Sequence, residues 1–244
     1  MPTQFVAATE EALNFGVELK IYDDAAWIAT DRLREMGLAK AGLDSATYVV
    51  EPLGDLYRVA FLSKDGNVLK VSATVDVRSS GWDSMGSIVD SKAYDVPIPA
   101  TDEESRLNDA LQSAVSAQGL KLCANSPYNH IVLPDTRVGK HEYRVYFLLA
   151  TDKPKQVPQA GHVLVRVGGD GKSVLEVRPL SLSCAIVDAS DPRIAALSFS
   201  NLALDSPSEV QVLTFLRYKI PLFMVSKNGL FWSIDANGIT SVKK

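Results

Sequence analysis

One pattern occurs twice in this chain and constrains its fold more than any other feature. A helix-like segment precedes Tyr-Arg-Val-x-Phe-Leu, which stands at residues 57–62 and again at 143–148. An Asp-Gly pair follows each copy, at 65–66 and at 170–171. Alternating apolar residues indicate half-buried strands, and Asp-Gly is a strong hairpin signal because glycine accepts positive φ. The pattern predicts an α+β protein of two sequential helix-plus-antiparallel-sheet units, with either a diverged tandem repeat or convergent strand patterning as its origin.

The first unit is predicted to begin with a strand and then a helix. Apolar and polar residues alternate across residues 15–21, which is typical of a half-buried strand. Asp23 and Asp24 then provide an N-cap for a helix that ends at Gly37. Residues 57–77 read as a hairpin, to which the apolar run at residues 48–50 adds a third strand.

The boundary between the units is placed where the apolar periodicity is lost. Residues 79–100 contain two glycines and two prolines without a sustained period, so they are predicted to form a connector. Thr101 and Glu104 then form the capping box of a helix. The predicted units are residues 1–96 and residues 101–244, and the second is rich in antiparallel strands.

Composition limits the classes of partner. The 244-residue chain has a formal net charge of −4, so a phosphate backbone would be repelled and nucleic acid is not an expected partner. Its N-terminus lacks a basic segment followed by an apolar one, and no apolar run approaches the ~18 residues that cross a bilayer. We expect no membrane association and a cytoplasmic location, where Cys123 and Cys184 would both be reduced thiols.

No residue pattern indicates a metal site or a cofactor. His130, His141 and His162 show no metal-ligand spacing, so no metal is expected. The glycine-rich stretch at 168–171 leads into a strand and lacks the lysine of a phosphate-binding loop, which indicates a tight turn. No cofactor is therefore expected.

A nucleophilic site would have to be assembled from distant residues. Cys184 or Ser183 could act with His162 and Asp188, but no nucleophile elbow surrounds them. The apolar run at 182–187 instead predicts that Cys184 is a core thiol in a buried strand. No catalytic residue is assigned from the sequence.

The candidate binding residues are Arg144, Tyr146, His162 and Arg166. Strand alternation directs Val163, Val165 and Val167 to one face of the sheet. His162 and Arg166 then share the opposite face, and Arg144 and Tyr146 lie opposite their own apolar neighbours. A solvent-exposed sheet face that carries arginine, tyrosine and histidine suits a protein or an anion as partner, while an ordinary solvated face is the alternative.

Residues 142–184, from Glu-Tyr-Arg-Val-Tyr-Phe-Leu-Leu to Leu-Ser-Leu-Ser-Cys, resemble an uncharacterised proteobacterial protein family. That resemblance implies no activity. The helix-then-hairpin units are also similar in pattern to the repeats of PepSY-type and beta-lactamase-inhibitor-like proteins. This second likeness implies a fold but no site residue.

These observations favour a bacterial binding protein that engages a macromolecular partner, of the inhibitor or toxin-immunity type. The alternative is a hydrolase with a site between the two units. A third hypothesis is a structural subunit whose exposed strand edges pair in an oligomer. The oligomeric state is left open by the sequence.

Overall fold

A computed structural model describes residues 3–38, 47–81, 86–139, 141–151, 153 and 155–242. Within them lie three α-helices, α1 Val6–Glu35, α2 Asp102–Val115 and α3 Glu209–Tyr218. The first eight strands are β1 Thr47–Leu53, β2 Leu56–Asp65, β3 Val68–Arg78, β4 Ser87–Pro99, β5 Tyr128–Asp135, β6 Glu142–Leu149, β7 Gln156–Ala160 and β8 Val163–Gly168. The remaining strands are β9 Val174–Pro179, β10 Ala185–Asp188, β11 Leu197–Asn201, β12 Leu222–Ser226, β13 Phe231–Asp235 and β14 Gly238–Val242.

The predicted α+β class is confirmed. A helix followed by a four-stranded antiparallel sheet occurs twice, as α1 with β1-β2-β3-β4 and as α2 with β5-β6-β8-β9. The Tyr-Arg-Val motif lies in the second strand of each sheet. The first Asp-Gly turn, however, joins the second and third strands, whereas the other joins the third and fourth. The two motifs thus occupy equivalent positions in their sheets, whereas the two turns do not. Tandem duplication stays a hypothesis.

The two sheets meet at β1 and β5 through a reciprocal pair of hydrogen bonds. The Tyr48 hydroxyl donates to the His130 carbonyl oxygen at 3.0 Å, and Nε2 of His130 lies 3.1 Å from the Tyr48 carbonyl oxygen. The two rings stack with centroids 4.6 Å apart. Burial lowers the pKa of His130, so the neutral ring donates through Nε2. This contact places the sheets side by side.

Apolar side chains from both sheets enter the same two cores. Phe61 and Tyr146 join α1 and α3 in one core, while their sequence neighbours Leu62 and Val145 join α2 in the other. Successive strand residues point to opposite faces, so both faces of each sheet contribute side chains to a core. A third core around Trp232 lies under the sheet β11-β12-β13-β14, where α3 connects the parallel pair β11 and β12.

The strand predicted at residues 15–21 is wrong, because this segment lies within α1. Phe15, Leu19 and Tyr22 are buried on one helical stripe. The spacing of four residues between Phe15 and Leu19 matches both the helical period and strand alternation, so the short pattern was ambiguous. Asp23 and Asp24 are consequently buried helix residues instead of an N-cap.

The connector predicted at residues 79–100 is also wrong for its larger part. Residues 87–99 form β4, which pairs with β3 in an antiparallel ladder. Most of its side chains are exposed on both faces of the sheet. The strand therefore carries no apolar alternation, which is the signal on which the sequence prediction depended.

The division into residues 1–96 and 101–244 stays a prediction. Because both ranges fill the same two cores, we expect a chain cut by limited proteolysis within residues 79–100 to elute from size exclusion as one particle. Fragments that separate and keep their circular dichroism would instead establish two independent units. Fragment masses would identify the cut.

Candidate functional site

Three of the four predicted binding residues lie in the sheet β5-β6-β8-β9 and His162 lies immediately before β8, but most of the face that they share is covered. Tyr146 and Leu164 point to the side opposite Val145 and Val165, as strand alternation predicted, and that side packs against α1 and α3. The expected exposure is therefore wrong for Arg144, Tyr146 and His162, because local alternation shows which residues share a face and not what covers it. A binding role for these residues stays a prediction.

Arg144 lies at the centre of a buried charge network. Its Nε donates to Oδ2 of Asp135 at 2.9 Å, and its Nη2 donates to Oε1 of Glu11 at 2.5 Å. Only 9% of the residue is exposed. Burial opposes the guanidinium charge, but Tyr146 and the two hydrogen-bonded carboxylates keep the Arg144 pKa above its ordinary value. The residue is a permanent buried cation with fixed partners.

Tyr146 and Glu209 extend this network to α3. The fully buried Tyr146 hydroxyl donates to Oε1 of Glu209 at 2.8 Å. Nη1 of Arg144 and Nη2 of Arg178 lie 3.9 Å and 3.4 Å from the same oxygen. Burial, reinforced by the Glu209 charge, raises the Tyr146 pKa well above its ordinary value. The phenol therefore stays protonated and acts as a donor.

Phe15 of α1 lies between two guanidinium groups. The Cζ atoms of Arg137 and Arg144 are each 3.6 Å from the centroid of its ring. Arg137 also pairs with Glu18, one helical turn further along α1. Cation–π contacts of this kind stabilise by about 0.5–2 kcal/mol each. The network thus fixes α1 against the sheet that contains β6.

His162, immediately before β8, is a buried structural residue. Its Nδ1 accepts a hydrogen bond from the Leu149 amide at 3.1 Å, and its Nε2 lies 3.2 Å from the Pro158 carbonyl oxygen. Burial lowers the His162 pKa to about 4, so the ring is neutral at physiological pH. With both nitrogens bonded to backbone, the ring connects β6 to the middle of β7.

Arg166 is half-buried and forms ion pairs on its own sheet. Its Nε and Nη2 donate to Oε2 of Glu142 at 3.0 Å and 2.5 Å. Its Nη1 donates to Oε2 of Glu176, the residue opposite it on β9, at 3.2 Å. Arg166 is the most accessible of the four predicted residues, and its charge is balanced by these cross-strand neighbours.

A recess opens beside the charge network, between α1, Arg178 and the loop that leads into α3. Glu11, Asp205 and Glu209 are among its lining residues, and its volume is about 120 Å³. Sites for drug-sized ligands measure roughly 300–1,000 Å³, so this recess has room for a side-chain tip or a few waters. Among the described residues, no group of three or more His, Cys, Asp or Glu side chains could hold a metal ion.

Cys123 and Cys184 form a disulfide, so the prediction of two reduced thiols is wrong. Their Cα atoms are 6.0 Å apart although 61 residues separate them in sequence. Cys184 is an exposed residue before β10 and not part of a buried strand. The sulfur is bonded, and the ring nitrogens of His162 are occupied by backbone groups. The nucleophilic set considered from the sequence is therefore not assembled.

The strand β4 has a free edge in the described structure. This 13-residue strand pairs with β3 on one side, and no other described strand pairs with it. Its exposed apolar residues are Ile88, Val89, Val96 and Ile98, of which Val96 is 76% exposed. Long exposed edges are templates for pairing with another chain. The β-branched residues were the one sequence signal for this strand.

A proline closes the end of this edge. The Ala100 amide donates to the Leu69 carbonyl oxygen, so its N–H points toward β3. Because successive amides of a strand point to opposite sides, the nitrogen atom of Pro99 faces the open edge, where proline has no hydrogen to donate. The register with β3 is irregular between Ala93 and Ile98 and again at Val89, so the open stretch is residues 87–93, interrupted at Val89.

No protein-family model, no curated protein and no solved structure matches the chain. Among the described helices, none is both long and apolar enough to cross a membrane.

Proposed function

We propose that this chain is a bacterial binding protein that engages a protein partner by strand addition at the open edge of β4. The observation that carries the proposal is the exposure of Ile88 and Val89 on an edge strand that is paired on one side only. In strand addition, backbone hydrogen bonds supply affinity and the exposed side chains supply specificity.

This mode of binding fits the inhibitor or toxin-immunity type that the sequence favoured. Such a protein acts by covering a surface of its target, and it needs no chemistry of its own. A second copy of the chain is the other kind of partner that could add a strand. In the cytoplasm the Cys123–Cys184 bridge would be reduced. Because the two cysteines form a bridge, we propose an oxidising compartment as the place of action.

The hydrolase alternative has weaker support in the geometry. Its site would lie where the two predicted units meet, near the recess that contains Glu11 and Glu209. Both carboxylates already interact with the Arg144 guanidinium, and Glu209 also accepts from Tyr146. A general acid or base needs a proton that it can exchange with substrate, and these contacts hold the carboxylates in place as counter-ions.

We predict that Ile88→Lys with Val89→Lys abolishes partner recovery and leaves the fold unchanged. Lysines on an edge strand disfavour the addition of a further strand. Both residues are exposed, so the double variant should alter the free energy of unfolding by no more than about 1 kcal/mol. The measurement is affinity capture from the source cells, with cross-links mapped to residues 87–93 by mass spectrometry.

The matched control is Val68→Lys, at an exposed position of β3 in the hairpin with β2. This variant should capture as much partner as the wild type. Unchanged recovery with the β4 variant, together with an unchanged thermal melt, would place the binding surface elsewhere on the protein.

A further inference from the structure

We infer that the Cys123–Cys184 bridge is a site of thiol–disulfide exchange with a protein dithiol, whose sulfur bonds to Cys184. The partner is a dithiol–disulfide oxidoreductase, because a disulfide opens when a thiolate attacks one of its sulfurs. The site does not involve β4. The inference therefore goes beyond the proposed function and can fail independently of it.

The two sulfurs of the bridge differ in their access to a partner. Cys184 is an exposed residue, whereas Cys123 is half-buried. The backbone of Gly161, with φ of +99°, packs directly against Cys123, since a Cβ at position 161 would lie 2.6 Å from the Cys123 sulfur. Because the attacking thiolate must reach a sulfur, the accessible one is that of Cys184, and Cys123 is the leaving group.

Hydrogen bonds that do not involve sulfur hold both cysteine segments against Gly161. The Cys123 amide donates to the Tyr128 hydroxyl oxygen at 2.8 Å, and that hydroxyl donates to the Gly161 carbonyl oxygen at 2.8 Å. On the other side, the Gly161 amide donates to Oγ of Ser181 at 2.6 Å. These bonds keep the two sulfurs near each other while the bridge is open, so the exchange is reversible in the folded chain.

The surface around the bridge is apolar and suits a protein as the carrier of the dithiol. Leu122, Leu182 and Ile186 are 40%, 73% and 42% exposed, and each lies within two residues of a bridged cysteine. No charged residue occurs from residue 180 to residue 187. Exposed apolar residues that cluster in this way mark contact surfaces for other proteins. A small thiol would need no such surface.

The exchange proceeds in two balanced steps. The partner's first thiolate bonds to the Cys184 sulfur, and the Cys123–Cys184 bond breaks with its electron pair leaving on Cys123 as a thiolate. The partner's second thiolate then displaces Cys184 as a thiolate from this mixed disulfide. The bridge is reduced by two electrons and the partner's dithiol is oxidised to a disulfide. The same steps in reverse form the bridge in an oxidising compartment.

The first experiment traps the mixed disulfide. The probe is thioredoxin whose second active-site cysteine is replaced by serine, so that it can complete only the first step. Mixed with the oxidised full chain, it should form a one-to-one covalent adduct that peptide mapping places at Cys184. The rate of adduct formation should not change in urea too dilute to unfold the chain. An adduct at Cys123, no adduct, or a rate that rises with urea as unfolding does would overturn the inference.

The second experiment tests the apolar surface. Leu182→Asp should slow reduction of the bridge by intact reduced thioredoxin about tenfold and leave the rate with dithiothreitol unchanged. Leu175→Asp is the matched control, because Leu175 is 52% exposed near the other end of β9. It should react like the wild type with both dithiols, and thermal melts confirm that both variants are folded. An equal loss with both dithiols, or no loss with thioredoxin, would overturn recognition by a protein dithiol.

Discussion

Arg144→Met is expected to lower the free energy of unfolding by about 3–5 kcal/mol, because it leaves Asp135 buried without its cation. The methionine has a similar length and fills most of the space of the arginine stem, so the loss reports mainly the unpaired charge. The cation–π contact with Phe15 is lost as well. Urea unfolding followed by circular dichroism measures the change.

Arg193→Met serves as the matched control. Arg193 forms a bidentate pair with Asp191, but its side chain is 88% exposed. A pair so exposed to water contributes about 0–1 kcal/mol, so this variant should unfold almost like the wild type.

The double variant Arg144→Met with Asp135→Asn separates charge from packing. If the uncompensated Asp135 carboxylate causes the loss, neutralising it should recover part of the stability, and the two changes should be non-additive. A loss below about 1 kcal/mol in Arg144→Met would contradict the network, because removing one member of a buried pair costs more than that.

Removal of the Cys123–Cys184 bridge is expected to cost about 4 kcal/mol, as estimated from the entropy of closing a loop of this length. The two cysteines are 61 positions apart in the sequence, and the closed loop between them contains β5, β6, β7, β8 and β9. Cys123→Ala, Cys184→Ala and the double variant should all lose the same stability, since each removes the same cross-link. Thermal unfolding of the three variants measures the loss.

The wild type in reducing agent is the control for this experiment, and it should unfold like the double variant. Thiol titration of the denatured, non-reduced protein should find no free thiol, because both cysteines are in the bridge. Two free thiols in the native protein, with stability unaffected by reductant, would show that the chain folds and works without the bridge. That outcome would support the cytoplasmic location predicted from the sequence.

The charge network connects the fold to the proposed surface. Glu11 and Arg144 are 133 residues apart in sequence, and their contact holds α1 against the sheet of β6. Near the other end of α1, Arg32 donates to Ser91 of β4. One helix therefore contacts both the buried network and the edge strand. We expect that disruption of the network also weakens partner binding at the edge of β4.

Local chemistry in the sequence was sufficient to predict several elements. The Thr101–Glu104 capping box is confirmed, with Glu104 N–H to Thr101 Oγ1 at 3.1 Å and Thr101 N–H to Glu104 Oε2 at 2.7 Å. The hairpin of β2 and β3 and the alternation in β6 and β8 are also confirmed. These features depend on neighbours within a few residues, so the sequence alone contains the information.

Only the tertiary structure decided what covers each face and which residues meet across the chain. Alternation correctly paired Tyr146 with Leu164 on one face, but that face is buried because α1 and α3, distant in sequence, pack on it. The Cys123–Cys184 bridge and the Arg144 network likewise join segments 61 and 133 residues apart. The sequence did not predict β4 because a strand that is exposed on both faces has no apolar period. Its edge is open because β4 has a neighbouring strand on one side only.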